Sequence, residues 1–306
     1  MERLKYFFDE IENCNFCGRP TSENKILGQR LNKSQGFAPK SKWGITTTVV
    51  RCTNCSLIYS NPQPVPFDIQ SHYGIPPESY WREAYFKVNP NYFSRQIETA
   101  KKLIAFQKGM KALDIGAGIG KCMISLERAG FDTYGLEPSV SFRNKALDVM
   151  GISPDRLKTG MIEDSDYPEG AFHFITFGAV LEHLYNPAQC IEKALRWLSP
   201  DGIIQIEVPS SDWLVSKILN LYYRLKGTTY VTNLSPMHEP FHLYEFGLIS
   251  FKELSRKLDF QIAHHEYDVS IVYHLPKPLH PLLKWYMGKT NQGMQLTVWL
   301  KKTKLP

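Results

Sequence analysis

A chain of 306 residues with a net charge of +6, 43% hydrophobic and 22% charged residues, has the make-up of a soluble globular protein with room for one large domain and a small appendage. No apolar run approaches the ~18 residues that a membrane span needs. The opening MERLKYFFDEIENC is acidic where a secretory signal would be apolar, so a cytoplasmic location is expected. The positive excess is concentrated in residues 271–306, which hold six lysines and no acid. Such a tail suits phosphate, nucleic acid or an anionic surface, or is a solvated face.

In chain order the first chemistry is a pair of CxxC units, Cys14-Asn15-Phe16-Cys17 and Cys52-Thr53-Asn54-Cys55, with 34 residues between them. Two intervening residues let a tight turn aim both thiolates at one ion, and four thiolates close a tetrahedral shell. Cys14, Cys17, Cys52 and Cys55 are therefore expected to hold a structural zinc ion. Cys122 and Cys190 stand outside the pattern. The stretch SNPQPVP at 60–66 reads as an extended linker. The expected division is a zinc-binding module with its linker at 1–66 and a second domain at 67–306.

Beyond residue 91, Ile97, Ala100, Leu103 and Ile104 recur at helical spacing. MKALDI then reads as a buried strand, GAGIG as a glycine loop, KCMISLERAG as a helix and FDTYGLEP as the next strand, which is a βαβ unit of a parallel sheet. A G-x-G-x-x-G dinucleotide fingerprint would need glycine where Lys121 or Met123 stands, and no GK[ST] follows at P-loop spacing, so neither motif is present.

The pattern D-x-G-x-G-x-G at Asp114–Gly120 resembles the first motif of class I S-adenosylmethionine-dependent methyltransferases. That resemblance implies that Asp114, Gly116, Ala117, Gly118 and Gly120 surround the methionine portion of the cofactor. It implies that Glu137, followed by Pro138, takes both ribose hydroxyls, as a carboxylate can in one bidentate contact. It places Ile162 on the adenine and Glu163 at the adenine amino group, with Asp164 as the alternative. PEGAFHFITFGAVLEHLYNP resembles the family's fourth-strand segment, with His173 where an aspartate is usual, and brings Phe177 to the cofactor. SPDGIIQIEVP supplies the fifth strand. The likeness covers about residues 90–265, and the implied fold is α/β, a Rossmann-like doubly wound sheet of seven strands beside the small zinc-binding module.

A base for the acceptor is sought among histidines and carboxylates near the ends of the fourth and fifth strands. His183 follows the fourth strand. The segment PMHEPFHLYEF, 236–246, gathers two histidines, two glutamates and three aromatics, within a lid or acceptor insertion expected at about 210–246. Its His242-Leu243-Tyr244 resembles methyltransferases that carry an N-terminal cysteine-rich zinc module, several of which act on nucleotide-linked sugars, some at carbon with histidine as base; carbon, oxygen and nitrogen all stay open as the receiving atom. His242 is expected to be the base, with Glu239, His238 and Tyr244 as helpers and Tyr80 facing the acceptor. The expected substrate is a small, sugar-like molecule, nucleotide- or lipid-linked. The apolar stretch DWLVSKILNLYYRLKG, 212–227, either lies over the acceptor, touches a lipid-linked substrate, or packs on the similar PLHPLLKWYMGK of the tail. An RNA methyltransferase and a non-catalytic zinc scaffold are the alternatives. The fourth strand lacks the N-P-P-[YFW] signature of base amino-group methylation, and no nucleic-acid partner is favoured. A homodimer stays open.

Overall fold

The computed structural model describes residues 6–33, 44–68 and 81–303. Tyr80 lies outside the described residues. The N-terminal part is built from β1 (Tyr6–Asp9), β2 (Lys25–Leu31), β3 (Thr46–Arg51), β4 (Ile58–Ser60) and β5 (Gln63–Pro66). Strands β2, β3 and β4 form an antiparallel meander, and β1 pairs antiparallel with β5. The proline stretch read as a linker is therefore partly a strand. Proline's fixed φ suits an extended edge where few N–H groups are needed.

The main sheet contains β6 (Lys111–Ile115), β7 (Asp132–Glu137), β8 (Leu157–Thr159), β9 (Phe172–Gly178) and β10 (Leu198–Pro209). After β11 (Tyr244–Glu245) it is completed by β12 (Phe260–Asp268) and β13 (Gln295–Lys302). The order is β12-β13-β10-β9-β6-β7-β8, a sheet of seven strands. Strands β10, β9, β6, β7 and β8 run parallel, while β13 is antiparallel to β10 and to β12. This is the expected doubly wound α/β architecture.

Helices cover both faces: α1 (Ser94–Leu103), α2 (Lys121–Arg128), α3 (Val140–Asp148), α4 (Pro187–Trp197), α5 (Leu214–Leu225), α6 (Leu248–Leu254) and α7 (His280–Thr290). The alternation of side chains along a strand sorts the core. Ala112 of β6 packs with Ile97, Ala100 and Leu126 on the α1/α2 side. Its neighbours Leu113 and Ile115 pack with Ile191, Ala194 and Leu195 of α4. Central strands buried on both faces need continuous apolar sequence, which ALDI and FHFITF nearly supply. His173, the departure within β9, accepts the Lys111 backbone N–H at 3.3 Å.

The chain turns from β6 to β7 on one side and pairs β6 with β9 on the other. That reversal opens a crevice beyond the carboxyl ends of these strands. The apolar insertion and the tail meet one another. Val215 and Leu219 of α5 share a buried cluster with Met287 of α7, Trp213 and Val272.

The strand β11 does not join the main sheet. It pairs antiparallel with β4, Tyr244 opposite Tyr59 and Glu245 opposite Ile58, giving a second sheet ordered β11-β4-β3-β2. A piece from late in the chain thus completes the cysteine-bearing module.

Candidate active site and four-cysteine centre

The four cysteines converge. Cys14 Sγ lies 3.5 Å from Cys55 Sγ, and Cys17 Sγ lies 3.4 Å from Cys52 Sγ. All four sulfurs fall within 4.8 Å of one another. A tetrahedral ion with Zn–S of about 2.3 Å would separate its sulfurs by about 3.8 Å, so the cluster fits zinc. Each CxxC is closed by a tight turn, Gly18 N–H to the Cys14 carbonyl and Ser56 N–H to the Cys52 carbonyl. Both closing residues have positive φ, +74° and +62°, which favours a small side chain. Phe16, inside the first turn, is fully buried against Phe246 and Phe251.

At the carboxyl edge of β6 and β7 lie two adjoining cavities of about 320 and 190 Å³ that share Tyr85, Gly116 and Gly118. The glycines have different reasons. A Cβ on Gly116 would stand 2.4 Å from Val180, and one on Gly120 would stand 2.7 Å from Ile152. Gly118, at φ +56°, faces open space, which is room for a ligand against the main chain. Gly120 does not border either cavity; it lets α2 start against Ile152. Ala117 lines the smaller cavity.

Glu137 closes β7 and borders the larger cavity with Pro138. One carboxylate oxygen accepts the Gly118 N–H at 2.7 Å and the other accepts the Ser139 N–H at 2.8 Å. Each oxygen keeps a lone pair for a further donor. Burial pushes its pKa up to about 7, against the pull of the Ser139 and Gly118 amides. Asp114 lines the smaller cavity, with one carboxylate oxygen buried and unpartnered. Burial, and then the neighbouring Glu137, push its pKa up to about 8. Ile162 and Glu163 border the larger cavity, and a Glu163 oxygen is also buried without a partner. Asp164 is exposed and borders neither cavity, so Glu163 is the better placed acid. Phe177 is fully buried in the core and borders neither cavity; its backbone neighbours Gly178 and Ala179 do. A cofactor with a diol, a heteroaromatic ring and an amino acid end fits these residues. Glu137 would accept the diol, Ile162 and Glu163 the ring, and Asp114 with Gly118 the amino acid end.

His183 borders the larger cavity. His242 meets it ring to ring, centroids 5.0 Å apart at 67°. The short turn Leu181–His183 and the approach to β11 are tied by the Leu243 N–H to the Glu182 carbonyl, 2.8 Å. Burial, and then His183, hold the His242 pKa down at about 3. Burial, and then Glu207, raise that of Glu182 to about 8. Glu182 Oε1 and His242 Nε2 stand 3.7 Å apart. The remaining expected helpers lie elsewhere. Glu239 is exposed. His238 faces Arg30 at 3.3 Å, inside the sheet of the cysteine module. Tyr244 is fully buried between Tyr59 and Phe246 and donates to the Tyr185 carbonyl at 3.0 Å. It borders a third cavity of about 380 Å³ instead.

Two groups escaped the sequence reading. Glu182 stands in the quoted LEHL stretch but was given no role. Tyr185, three residues on, borders both the larger and the third cavity, and its hydroxyl is buried without a hydrogen-bond partner.

A family model described as a methyltransferase domain matches residues 87–265. A ubiquinone biosynthesis O-methyltransferase of Pectobacterium atrosepticum is 26% identical over 135 residues, covering 42% of this chain and 52% of its own length. Another of Rhodopseudomonas palustris is 24% identical over 123 residues, covering 39% and 47%. The chain thus spans about half the length of the curated relatives it matches. Among solved structures, one from Listeria monocytogenes described as an S-adenosylmethionine dependent methyltransferase superposes with a TM-score of 0.50 at 13% identity. That match covers 71% of this chain and 99% of the other, a likeness of fold. With the family model covering more than half its length, the chain belongs to the methyltransferase-domain family.

Proposed function

We propose that the chain transfers a methyl group to an oxygen of a small polyhydroxylated acceptor, a nucleotide-linked or glycan-precursor sugar, and that its four cysteines hold a structural zinc ion. The observation that carries the acceptor class is the third cavity. Asp9, Glu10, Asn13, Asn15, Gln63 and Asn186 line it beside Tyr185 and Tyr244. Carboxylates, amides and aromatic faces together suit sugar hydroxyls and ring faces. Tyr185 links this cavity to the one bordered by Glu137 and His183. Oxygen as the receiving atom agrees with the relatives, which are named O-methyltransferases.

In this reading the donor supplies an activated methyl group. The protein aligns the acceptor and manages its hydroxyl proton, and the His183–His242 pair is the polar group beside the donor cavity for that task. Formation of S-adenosylhomocysteine is measured with nucleotide-linked sugars, catechols and total RNA, using the wild type and His242→Ala. Turnover on a sugar, lost in the variant while cofactor binding persists, is expected. Turnover on catechols or RNA alone overturns the sugar reading, and absence of cofactor binding would leave the scaffold alternative standing.

A further inference from the structure

We propose that Glu182, His183 and His242 form a second metal site, holding a divalent first-row transition ion on the wall of the larger cavity. One ligand atom from each side chain lies within 4.8 Å of the others. Glu182 Oε1 and His242 Nε2 are 3.7 Å apart, too far for the hydrogen bond that would explain a buried Glu–His contact. An ion about 2.1 Å from each ligand would set them roughly 3.0–3.4 Å apart, so a small inward turn of the side chains closes the shell.

The surroundings favour a cation. Glu182 is 1% exposed, and its Oε2 has no hydrogen-bond partner among the described residues. A buried carboxyl with an orphaned oxygen is costly, and a dication would supply the missing partner. The Phe241 carbonyl lies 3.3 Å from His183 Nδ1. A carbonyl only accepts, so the Nδ1 that faces it carries the proton. Such outer contacts commonly orient metal-binding imidazoles. The two segments that supply the ligands are already locked by the Leu243–Glu182 backbone bond.

Two imidazoles and one carboxylate select zinc, manganese, cobalt or iron over magnesium and calcium, which take oxygen ligands. Three protein ligands leave positions open, as in catalytic rather than structural sites. The four-cysteine centre is closed and the new site is open. Its catalytic use rests on the oxygen-methylation reading above; binding of the ion does not. The acceptor hydroxyl would coordinate in an open position and lose its proton to solvent, since the ion lowers the pKa of a bound hydroxyl. The acceptor oxygen's electron pair then forms the O–CH₃ bond, while the S–CH₃ bond breaks and leaves its pair on sulfur. This gives His242 the part of a ligand.

The probe is Mn²⁺, which thiolate sites take poorly. Loss of the free-ion paramagnetic resonance signal is followed in the full chain with zinc supplied. Wild type is expected to take up a stoichiometric Mn²⁺. Glu182→Gln and His242→Ala should weaken uptake by at least about tenfold, with circular dichroism and zinc content unchanged. Glu239→Gln, on an exposed position, should bind as wild type does. No uptake by wild type, or equal uptake by folded Glu182→Gln and His242→Ala, overturns the site. If no acceptor is turned over, Mn²⁺ uptake still decides the matter. Uptake with turnover that is indifferent to Mn²⁺ removal overturns the Lewis-acid role alone.

Discussion

Replacing Glu137 by glutamine tests the assignment of the β7 carboxylate as the diol clamp. In the free protein its two oxygens take the Gly118 and Ser139 amides, and each keeps a lone pair for a ligand hydroxyl. An amide side chain keeps one acceptor oxygen and turns an N–H₂ toward a backbone N–H. One charge-assisted bond to the ligand and one backbone partner are lost. Bonds to charged groups are worth about 1.5–3 kcal/mol, so the dissociation constant of S-adenosylhomocysteine should rise about a hundredfold. The pH dependence is a second signature. Burial leaves the free carboxyl with a pKa of about 7, and hydroxyl donors favour the ionised form. Binding must therefore expel a proton on the acid side. Affinity should fall about tenfold per pH unit below about 7 and be level above it. Isothermal titration calorimetry in buffers of different ionisation enthalpy measures both the affinity and the released proton. Glu137→Gln binding within about threefold of wild type, or wild-type affinity that rises toward acid, would refute the clamp.

Other expectations follow from the same groups. Asp114, Glu137 and Glu245 are buried carboxyls with pKa values pushed up to about 8, 7 and 7, in each case chiefly by burial. The folded state keeps protons that the unfolded chain sheds from about pH 4 upward. Their stabilising effect is complete below that pH and is lost as pH rises through 7 to 8, so urea midpoints without cofactor should fall across this window; a rising midpoint would contradict the burial of these groups. Gly120→Ala should lower stability by about 1–3 kcal/mol through positive φ and the Ile152 clash, seen as a lower melting temperature with cofactor affinity nearly retained in the folded fraction. Gly118→Ala should instead weaken cofactor binding, because its Cβ enters open cavity space. Tyr185→Phe should raise KM for the acceptor several-fold while the S-adenosylhomocysteine Kd stays put; the reverse pattern would remove Tyr185 from the acceptor path.

What the sequence could reveal was local. The glycine loop, the acid at the next strand end and the Leu181–Leu184 stretch lie in continuous segments, and residues of all three border one cavity at the strand ends. Ile162 and Glu163 likewise reach the larger cavity. Phe177 was harder: a strand buried on both faces has no polar side to show which residues look outward. Tyr244 shares the H-L-Y segment with His242, yet it belongs to the sheet of the cysteine module. The third cavity draws on residues 7–15, 63–65, 185–186 and 244, and no periodicity links those segments. A strand of two residues, like β11, leaves no pattern at all.

The shared strand has a consequence for synthesis. Segments leaving the ribosome first usually fold first, and four thiolates near the N-terminus could gather an ion early. Yet β4 gains its outer neighbour only when residues 244 and 245 arrive, and Phe16 gains its ring partners only with Phe246 and Phe251. The loop this closes is nearly two hundred residues long, between Tyr59 and Tyr244, and such distant pairings form late. The nascent cysteine-bearing sheet therefore waits, one edge open, until residues 244 and 245 have emerged. The module whose cysteines come early in the sequence is finished by residues 244–251, once the parallel strands of the main sheet have already emerged.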